Sequence, residues 1–439
     1  MSDLSRELIE FIQKSPSCYH AVENIAGILG GAGFTELREG EKWTLRPGGR
    51  YFVRRNLSAI LAFKLPAGAL RGFQIAASHC DSPTFKIKEN MDVVVDGAYT
   101  RLNVEKYGGM LCAPWFDRPL SVAGKIVVRQ GDRLVSRLVN IDRDLLMIPN
   151  LAIHMNRDVN DGYKYSVQKD MLPLLGDETA AGTFMDLVAE NAGVKKEDIL
   201  GTDLFLYCRS RGVVWGAHGE YVSSPKLDDL QCTYANLQGF LQGGHPDTAS
   251  VYAVFDNEEV GSGTKQGAAG TVLLDTLERI NEALGRSHED YLAALASSFM
   301  VSADNAHAVH PAHLDAADLT NHPHMNGGVV LKFSANQKYC TDSVSAALFR
   351  AICEKAGVPT QVFHNHSDIL GGSTLGNLST AQVSLNMVDI GLAQLAMHSP
   401  YETAGAKDTD YLVRAMREFY STFVEDAGQG SYCLHRAAQ

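Results

Sequence analysis

The sequence of 439 residues lacks several features of membrane and secreted proteins. No apolar run approaches the length that spans a bilayer. The eight cysteines are scattered without a Cys-x-x-Cys pair, which disfavours both a disulfide framework and a zinc ribbon. Residues 1–7 have neither the basic nor the apolar stretch of a signal peptide. We therefore expect a cytoplasmic protein with reduced thiols.

Positive charge is also scarce. The chain has 39 lysines and arginines against 51 aspartates and glutamates, a formal net charge of −12. This balance disfavours nucleic acid and anionic membranes as partners. A hydrophobic content of 45% with 21% charged residues is typical of globular proteins. The length exceeds that of one ordinary hydrophobic core, so we expect two domains.

The pattern along the chain indicates an α/β protein. The first 35 residues read as two amphipathic helices that end at Gly30 and Gly31. Between residues 93 and 222, alternating segments among turn residues favour a β-rich unit, and after Leu227 helices and strands alternate again. We predict a mixed, mostly parallel sheet flanked by helices, formed by residues 1–92 and 223–439. A β-rich domain of residues 93–222 interrupts it.

The most informative stretch is residues 256–262, Asp-Asn-Glu-Glu-Val-Gly-Ser, which follows a buried strand at residues 250–255. Adjacent carboxylates at the mouth of a buried strand are costly without partners. Neighbouring side chains diverge, so Glu258 and Glu259 are expected to differ in role, one binding a metal and the other moving a proton. For an isolated Glu-Glu pair, a solvated acidic turn would be the simpler interpretation.

Five segments each place metal-type ligands at the end of a strand-like run. They are residues 77–83 with His79, residues 226–230 with Asp228, the pair Glu258 and Glu259, residues 299–307 with Asp304, and residues 395–399 with His398. Asp81 in the first segment is placed to orient an imidazole or another ligand rather than to bind a metal itself. Ligands of open α/β sheets gather at the carboxyl ends of strands, so these segments are expected to converge. Any one of them alone would more simply be a satisfied core or turn residue.

Counted by chemistry, the segments supply two histidines and three carboxylates as ligands, with one carboxylate left over. Such a set suits two divalent ions roughly 3.5–4 Å apart that share one carboxylate and an activated water. Mixed imidazole and carboxylate donors favour zinc, with cobalt or manganese as substitutes.

Long sequence motifs spread over nearly the whole chain are similar to those of the aspartyl aminopeptidase family. The members of this family are metallopeptidases that remove acidic residues from the N-termini of peptides. The motifs include Tyr107-Gly108-Gly109, Trp115-Phe116-Asp117-Arg118, residues 256–262, Ser302-Ala303-Asp304, Ala306-His307-Ala308-Val309-His310-Pro311 and Gln394-Leu395-Ala396-Met397-His398-Ser399. The resemblance implies a substrate peptide with a free N-terminus.

The resemblance also implies roles for individual residues. Asp228 would bridge two ions, one completed by His79 and Asp304 and the other by Glu259 and His398. The remaining roles would be Glu258 as general base, Asp81 as catalytic support, Lys332 as the cation that meets the acidic side chain of the substrate, and His154 as a residue that reaches the active site of a neighbouring subunit. The family further implies a homo-oligomer, a tetrahedral dodecamer in which the β-rich domain forms the dimer contact.

The chain departs from the family pattern at three places. Cys80 stands where threonine is expected, which suggests sensitivity to oxidation. Asp229 replaces an asparagine and adds potential negative charge beside the metals. The loop 368–376 lacks the usual cysteine and proline, which puts strict acidic specificity in doubt.

Other interpretations stay open at this stage. They are an aminopeptidase of broader or neutral specificity, a di-metal deacylase or carboxypeptidase, and a non-enzymatic metal-binding assembly subunit. The histidines at positions 307, 310, 313, 322 and 324, together with 364 and 366, are expected to be loop and interface residues rather than a third metal site.

Overall fold

A computed structural model describes residues 3–369 and 371–437. Its helices are α1 (Asp3–Gln13), α2 (Cys18–Gly31), α3 (Val167–Asp170), α4 (Phe184–Ala192), α5 (Leu227–Gln242), α6 (Val272–Ala283), α7 (His288–Ala296), α8 (Ser343–Lys355), α9 (Leu375–Gln382) and α10 (Asp408–Tyr420). The two N-terminal helices and α8, which Asp342 caps, lie where the sequence predicts them.

The strands form four sheets. They are β1 (Thr35–Leu37), β2 (Arg50–Arg55), β3 (Ala59–Lys64), β4 (Gly72–His79), β5 (Thr84–Val95), β6 (Tyr99–Tyr107), β7 (Leu120–Gln130), β8 (Arg133–Asn140), β9 (Leu174–Asp177), β10 (Ile199–Cys208), β11 (Val213–Trp215), β12 (Tyr221–Ser224), β13 (Thr248–Phe255), β14 (Phe299–Ala303), β15 (Ala306–His307), β16 (Val329–Lys332), β17 (Thr360–Phe363), β18 (Asn386–Gly391), β19 (Ala393–Leu395), β20 (Glu402–Gly405), β21 (Thr422–Gly428) and β22 (Ser431–Arg436).

The largest sheet has nine strands in the order β1-β2-β3-β13-β4-β14-β18-β16-β17. The four central strands, from β13 to β18, are parallel to one another. Five of the eight neighbouring pairs are parallel and three are antiparallel. The predicted mixed, mostly parallel sheet is therefore confirmed.

Helices cover both faces of this sheet. Every residue of β4 and of β13 is buried, as expected for central strands with a core on each side. Alternate residues of the strands contribute to two separate cores, one with α1, α2, α5, α8 and α10, and the other with α6, α7 and α9. None of the described helices combines the length and the apolar character needed to cross a bilayer.

A second, antiparallel sheet has its own core. Its six strands run in the order β8-β7-β10-β5-β6-β9 and pack with α4 around Phe85, Trp115 and Phe184. A β-rich unit is thus present, as the sequence predicts. Its strands extend from Thr84 to Cys208, whereas β11 and β12 pair into a third sheet with β20. The division of the chain at residues 93 and 222 stays a prediction.

The topology brings the sequence segments of interest to one edge. Strands β4, β13 and β14 are parallel and end at His79, Phe255 and Ala303, next to the first turn of α5. The five-stranded sheet β11-β12-β20-β19-β15 adds the connection from β19 to β20, which carries His398. All eight cysteines are free thiols.

Candidate active site

One group of potential ligands joins the ends of two strands to α5. His79, Asp228 and Asp304 are all buried, and each offers one donor atom within 4.8 Å of the others. His79 Nε2 lies 3.5 Å from Asp228 Oδ1. The group is the one that the convergence of strand ends leads us to expect.

A second group shares Asp228 with the first. It consists of Asp228, Glu259 and His398, with donor atoms again within 4.8 Å of one another. His398 Nε2 lies 3.6 Å from Asp228 Oδ2 and 3.3 Å from Glu259 Oε2. The two oxygens of Asp228 therefore face opposite histidines. A third combination, His79 with Glu258 and Glu259, places the remaining glutamate at the same cluster.

The oxygens in this cluster lack compensation from protein groups. Within the described part of the chain, Asp228 Oδ1 and Glu259 Oε1 are buried and accept no hydrogen bond. Buried carboxylates without partners are strongly unfavourable, and a bound cation removes the penalty. The donor set of imidazole nitrogens and carboxylate oxygens fits divalent zinc. The residues present therefore suit a metal ion.

Glu258 and Glu259 sit on a short 3₁₀ turn (Glu258–Val260) directly after β13. Asn257 precedes the turn with φ of 62° and Gly261 follows it with φ of 94°, left-handed conformations that asparagine and glycine tolerate. This tight turn sends the two side chains to different partners. Burial raises the pKa of Glu258 to about 8, and the nearby Asp304 adds to the shift.

Two further carboxylates hold the backbone of this cluster. Asp81 Oδ1 and Oδ2 accept the backbone N–H groups of Glu258 (3.2 Å) and Glu259 (3.1 Å), and Asp81 Oδ1 lies 3.3 Å from His79 Nδ1. Glu402 accepts the backbone N–H groups of Asp228 (2.9 Å) and His398 (2.7 Å). The metal-type ligands are thus fixed through their main chain as well as through β-sheet pairing.

Lys332, the last residue of β16, is buried. It is 3% exposed, and its Nζ lies 3.6 Å from Asp304 Oδ1 and 5.5 Å from the ring centroid of Tyr339. Burial alone would lower the pKa of Lys332, but Asp304 and other nearby acids raise it overall. The side chain is therefore a buried, protonated cation beside the cluster.

His154 lies apart from the cluster. It occupies a short 3₁₀ turn (Ile153–Met155) on an exposed segment between β8 and β9, and it belongs to none of the three groups found among the described residues. The other predicted site residues, Asp81, Glu258 and the five ligands, meet in one place.

A cavity of about 340 Å³ is lined by residues just before His398 and by much of the histidine-rich segment. Its walls include His307, His310 and His313, with Ile369, Gly371 and Gly372 from the loop 368–376. Leu370 of that loop lies outside the described residues. Across residues 3–369 and 371–437, no group with the spacing of a metal site contains a histidine of the 307–324 segment.

The structure shows the surroundings of Asp229 and Cys80, two of the residues that depart from the family pattern. Burial raises the pKa of Asp229 well above its usual range, so its neutral form is favoured and it resembles the expected asparagine in charge. Its Oδ2 accepts the backbone N–H of His79 at 3.3 Å. The buried Cys80 thiol faces the carbonyl oxygens of Ser58 and Phe255, and burial raises its pKa, which disfavours the reactive thiolate.

The sequence analysis assigns no role to several contributors to this network. Glu402 is near His398 in sequence, but its carboxylate accepts a hydrogen bond from the backbone of Asp228, which is 174 residues away in sequence. Tyr107 reaches Asp81 from the six-stranded sheet, and Asn257 contacts Tyr107 in turn. An aromatic residue followed by two glycines at a strand end is the only local signal for Tyr107.

Comparison with known proteins agrees with this geometry. The family model described as aminopeptidase I zinc metalloprotease (M18) matches residues 11–420. A probable M18 family aminopeptidase 2 of Clostridium acetobutylicum is 45% identical over 427 residues, covering 95% of this chain and 99% of that protein. Ape4, in the cryo-EM structure of the Ape4 and Nbr1 complex, superposes with a TM-score of 0.91 at 34% identity, covering 95% of this chain and 85% of that chain. The S. cerevisiae mApe1 dodecamer gives a TM-score of 0.83 at 27% identity, covering 95% and 96%.

The chain therefore belongs to the M18 family of zinc metalloproteases. It is a metallo-aminopeptidase, a hydrolase that acts on peptide bonds at the N-terminus. The deacylase, the carboxypeptidase and the non-enzymatic metal-binding subunit are accordingly set aside. The predicted family is confirmed, as is the dependence on a metal.

We predict that Glu402→Ala weakens zinc binding by about ten- to a hundredfold, the usual effect of removing a residue that orients metal ligands. The substitution removes the acceptor for two ligand backbones at once. Zinc affinity is measured by competition with a chromogenic chelator. Glu418→Ala is the control, because Glu418 is also buried but pairs with Arg436. Unchanged zinc affinity in a folded Glu402→Ala protein would contradict this role.

Proposed function

We propose that the enzyme binds two divalent ions per subunit and releases N-terminal residues, preferentially aspartate or glutamate, from peptides. One observation carries the two-ion proposal: Asp228 belongs to both ligand groups, and its two oxygens face His79 and His398. His79, Asp228 and Asp304 would hold one ion, and Asp228, Glu259 and His398 the other. Zinc is the expected metal, with cobalt or manganese as substitutes.

The residues around this cluster supply the acid–base chemistry. When bound, the ions would polarise the scissile carbonyl, acidify a shared water and stabilise charge on the carbonyl oxygen. Glu258 accepts the proton of the attacking water and then donates it to the leaving amine. Asp81 fixes the backbone of the turn on which Glu258 works.

Acidic preference is proposed to rest on Lys332. A carboxylate on the first residue of the substrate would meet a buried, protonated amine, where electrostatic attraction is stronger than on a surface. Asp304 would compete with the substrate carboxylate for this amine, because its Oδ1 lies 3.6 Å from Lys332 Nζ. An enzyme of broader specificity is the alternative, because the loop 368–376 departs from the family pattern.

A homo-oligomer is the proposed working form. The turn with His154 carries the exposed apolar side chains Ile153 (48%) and Met155 (70%), with Leu151 (52%) close by. Clustered exposed apolar residues are typical of protein contacts. The similar mApe1 was solved as a dodecamer, which supports a dodecamer here as well. We propose a tetrahedral arrangement of the subunits from the resemblance to the family. In it, the β-rich domain of residues 93–222 would form the dimer contact, and His154 would enter a neighbouring active site to help hold the oxyanion.

The division of labour between the two glutamates leads to a direct prediction. Glu258→Gln should keep both metals while turnover falls by roughly 10²–10⁴, because the proton acceptor is lost. Glu259→Gln should instead lose metal. Treatment of the wild-type protein with a chelator should abolish its activity, and added zinc, cobalt or manganese should restore it. Metal content and turnover are measured together for each protein. Identical behaviour of the two variants would rule out separate roles.

His154→Ala should lower turnover by roughly 10²–10³, the usual effect of removing an oxyanion donor, with metal content unchanged. Co-expression of His154→Ala with Glu258→Gln subunits should partly restore activity, because a mixed oligomer contains sites with an intact base and a neighbouring wild-type histidine. His288→Ala, at an exposed histidine on α7, is the control. A fully active isolated monomer is incompatible with action between subunits.

Lys332→Met should reduce kcat/KM on Asp- and Glu-peptides by roughly ten- to two-hundredfold while sparing Leu- and Ala-peptides. This range follows from a charge-assisted hydrogen bond of about 1.5–3 kcal/mol. Lys125→Met is the matched control, because Lys125 is also buried and lies 3.6 Å from Asp203, in the six-stranded sheet. An equal loss on all four peptides would show that Lys332 serves Asp304 rather than the substrate.

A further inference from the structure

The six-stranded sheet sends one side chain into the catalytic cluster. Tyr107, the last residue of β6, donates its phenolic O–H to Asp81 Oδ2 at 2.7 Å. Its ring packs edge to face against Phe205 of β10, with centroids 5.6 Å apart, so the position of the hydroxyl is set by that sheet. Asp81 lies in the connection from β4 of the nine-stranded sheet to β5 of the six-stranded sheet, two residues after the end of β4. This hydrogen bond therefore links the two parts of the molecule at the site.

The acceptor of this bond organises both glutamates. Asp81 Oδ2 accepts from Tyr107 and from the backbone N–H of Glu259, while Oδ1 accepts from the backbone N–H of Glu258. Three donors thus fix the orientation of one carboxylate, and that carboxylate fixes the turn. Loss of the phenolic donor would leave the carboxylate held by the turn and by His79, whose Nδ1 lies 3.3 Å from Oδ1.

The direction of the hydrogen bonds is set from outside the cluster. Asn257 Oδ1 accepts from Thr264 and Gln266, both at 2.8 Å, so its Nδ2 faces the other way and donates to Tyr107 Oη at 2.9 Å. With its oxygen already accepting, the phenol directs its single proton to Asp81. The chain from Asn257 through Tyr107 to Asp81 therefore has one consistent polarity.

The residues after Tyr107 contact two of the proposed metal ligands. Gly108 has φ of +76°, and a Cβ there would lie 3.1 Å from the Cβ of Glu259. The backbone N–H of Leu111 donates to the carbonyl of His398 at 3.2 Å. Residues 107–111 thus lie directly against the glutamate turn and against the segment that carries His398.

We propose that residues 107–111 form a positioning segment through which the β-rich sheet holds the catalytic turn, with Tyr107 acting on Glu258 and Glu259 through Asp81. The proposal rests on the roles given above to these two glutamates. It makes Tyr107 a positioning residue that does not touch substrate or metal. It also gives the β-rich sheet a function inside its own subunit, separate from any contact between subunits.

Tyr107→Phe removes only the hydroxyl. We expect kcat to fall about ten- to a hundredfold, in line with the loss of a hydrogen bond to a charged acceptor, with KM changed less than about twofold. Tyr234→Phe is the matched control, because the buried Tyr234 also donates to a carboxylate, that of Glu7 at 2.8 Å, and it belongs to none of the ligand groups. Equal kinetic effects of the two substitutions would overturn the proposal.

A double-mutant cycle with Asp81→Ala separates positioning from general damage. If Tyr107 acts through Asp81, Tyr107→Phe should have no further effect on kcat/KM in the Asp81→Ala protein. The same cycle is measured as zinc affinity by chelator competition, which requires no turnover. An undiminished effect of Tyr107→Phe in the absence of Asp81, in either measurement, would overturn the proposal.

Gly108→Ala provides a second test in case the tyrosine variant fails to fold. The added methyl group should press on Glu259 and weaken zinc binding by about tenfold or more. Gly131→Ala controls for backbone strain, because Gly131 also has positive φ (+61°) but no atom within 4 Å of the added Cβ. Equal zinc affinity in the two variants contradicts the proposed contact. Full activity of Glu258→Gln would refute the proposed function, whereas an inactive Glu258→Gln with a normal Tyr107→Phe would refute this inference alone.

Discussion

The structure depends on one electrostatic constraint. Several buried carboxylates lie close together, and the protein does not supply enough positive charge to neutralise them. Four carboxylates, those of Asp228, Glu258, Glu259 and Asp304, meet at the end of the central sheet, with Asp81 and Glu402 beside them. Among the described residues, the groups that pair with them and can carry positive charge are two histidines and Lys332, so negative charge is in excess. Each unpaired buried carboxylate is unfavourable by several kcal/mol. A binding site for divalent cations resolves this excess. The folded state is therefore expected to gain stability when metal binds.

Parallel strand pairing sets the geometry in which this charge accumulates. His79 is paired with Phe255 in the register of β4 and β13, so the turn after β13 begins beside the histidine. The carboxylates of Asp81 and Glu402 then hold the backbone N–H groups of the flanking ligands. The positions of the ligands thus follow from main-chain hydrogen bonds more than from flexible side-chain contacts. Such a scaffold keeps donor atoms close together despite their mutual repulsion.

The sequence was informative wherever a local pattern sufficed. Apolar runs marked β4, β13 and β14, and because the ends of parallel strands converge, the segments that carry metal-type side chains could be named without coordinates. The role of each residue in them came from the resemblance to the family and stays a prediction. Contacts between distant segments had no such signal. Tyr107 and Asp81 are 26 residues apart, with β5 and most of β6 between them in sequence, and no local pattern links them. The apolar neighbours of Lys332 in sequence could not show whether its strand is exposed or buried on both faces. The role proposed for His154 depends on contacts between chains, which no pattern within one chain encodes.

The negative net charge of the protein bears on the proposed preference for acidic substrates. A protein with a net charge of −12 repels an acidic peptide at a distance, yet screening confines that repulsion to about 8 Å at physiological ionic strength. Inside the site, Lys332 is shielded from solvent, and attraction at short range in a low dielectric outweighs a screened repulsion. Asp304 holds the lysine charged in the absence of substrate, because it raises the pKa against the effect of burial. In the proposed function, the carboxylate that keeps the selective cation charged is therefore itself a proposed metal ligand.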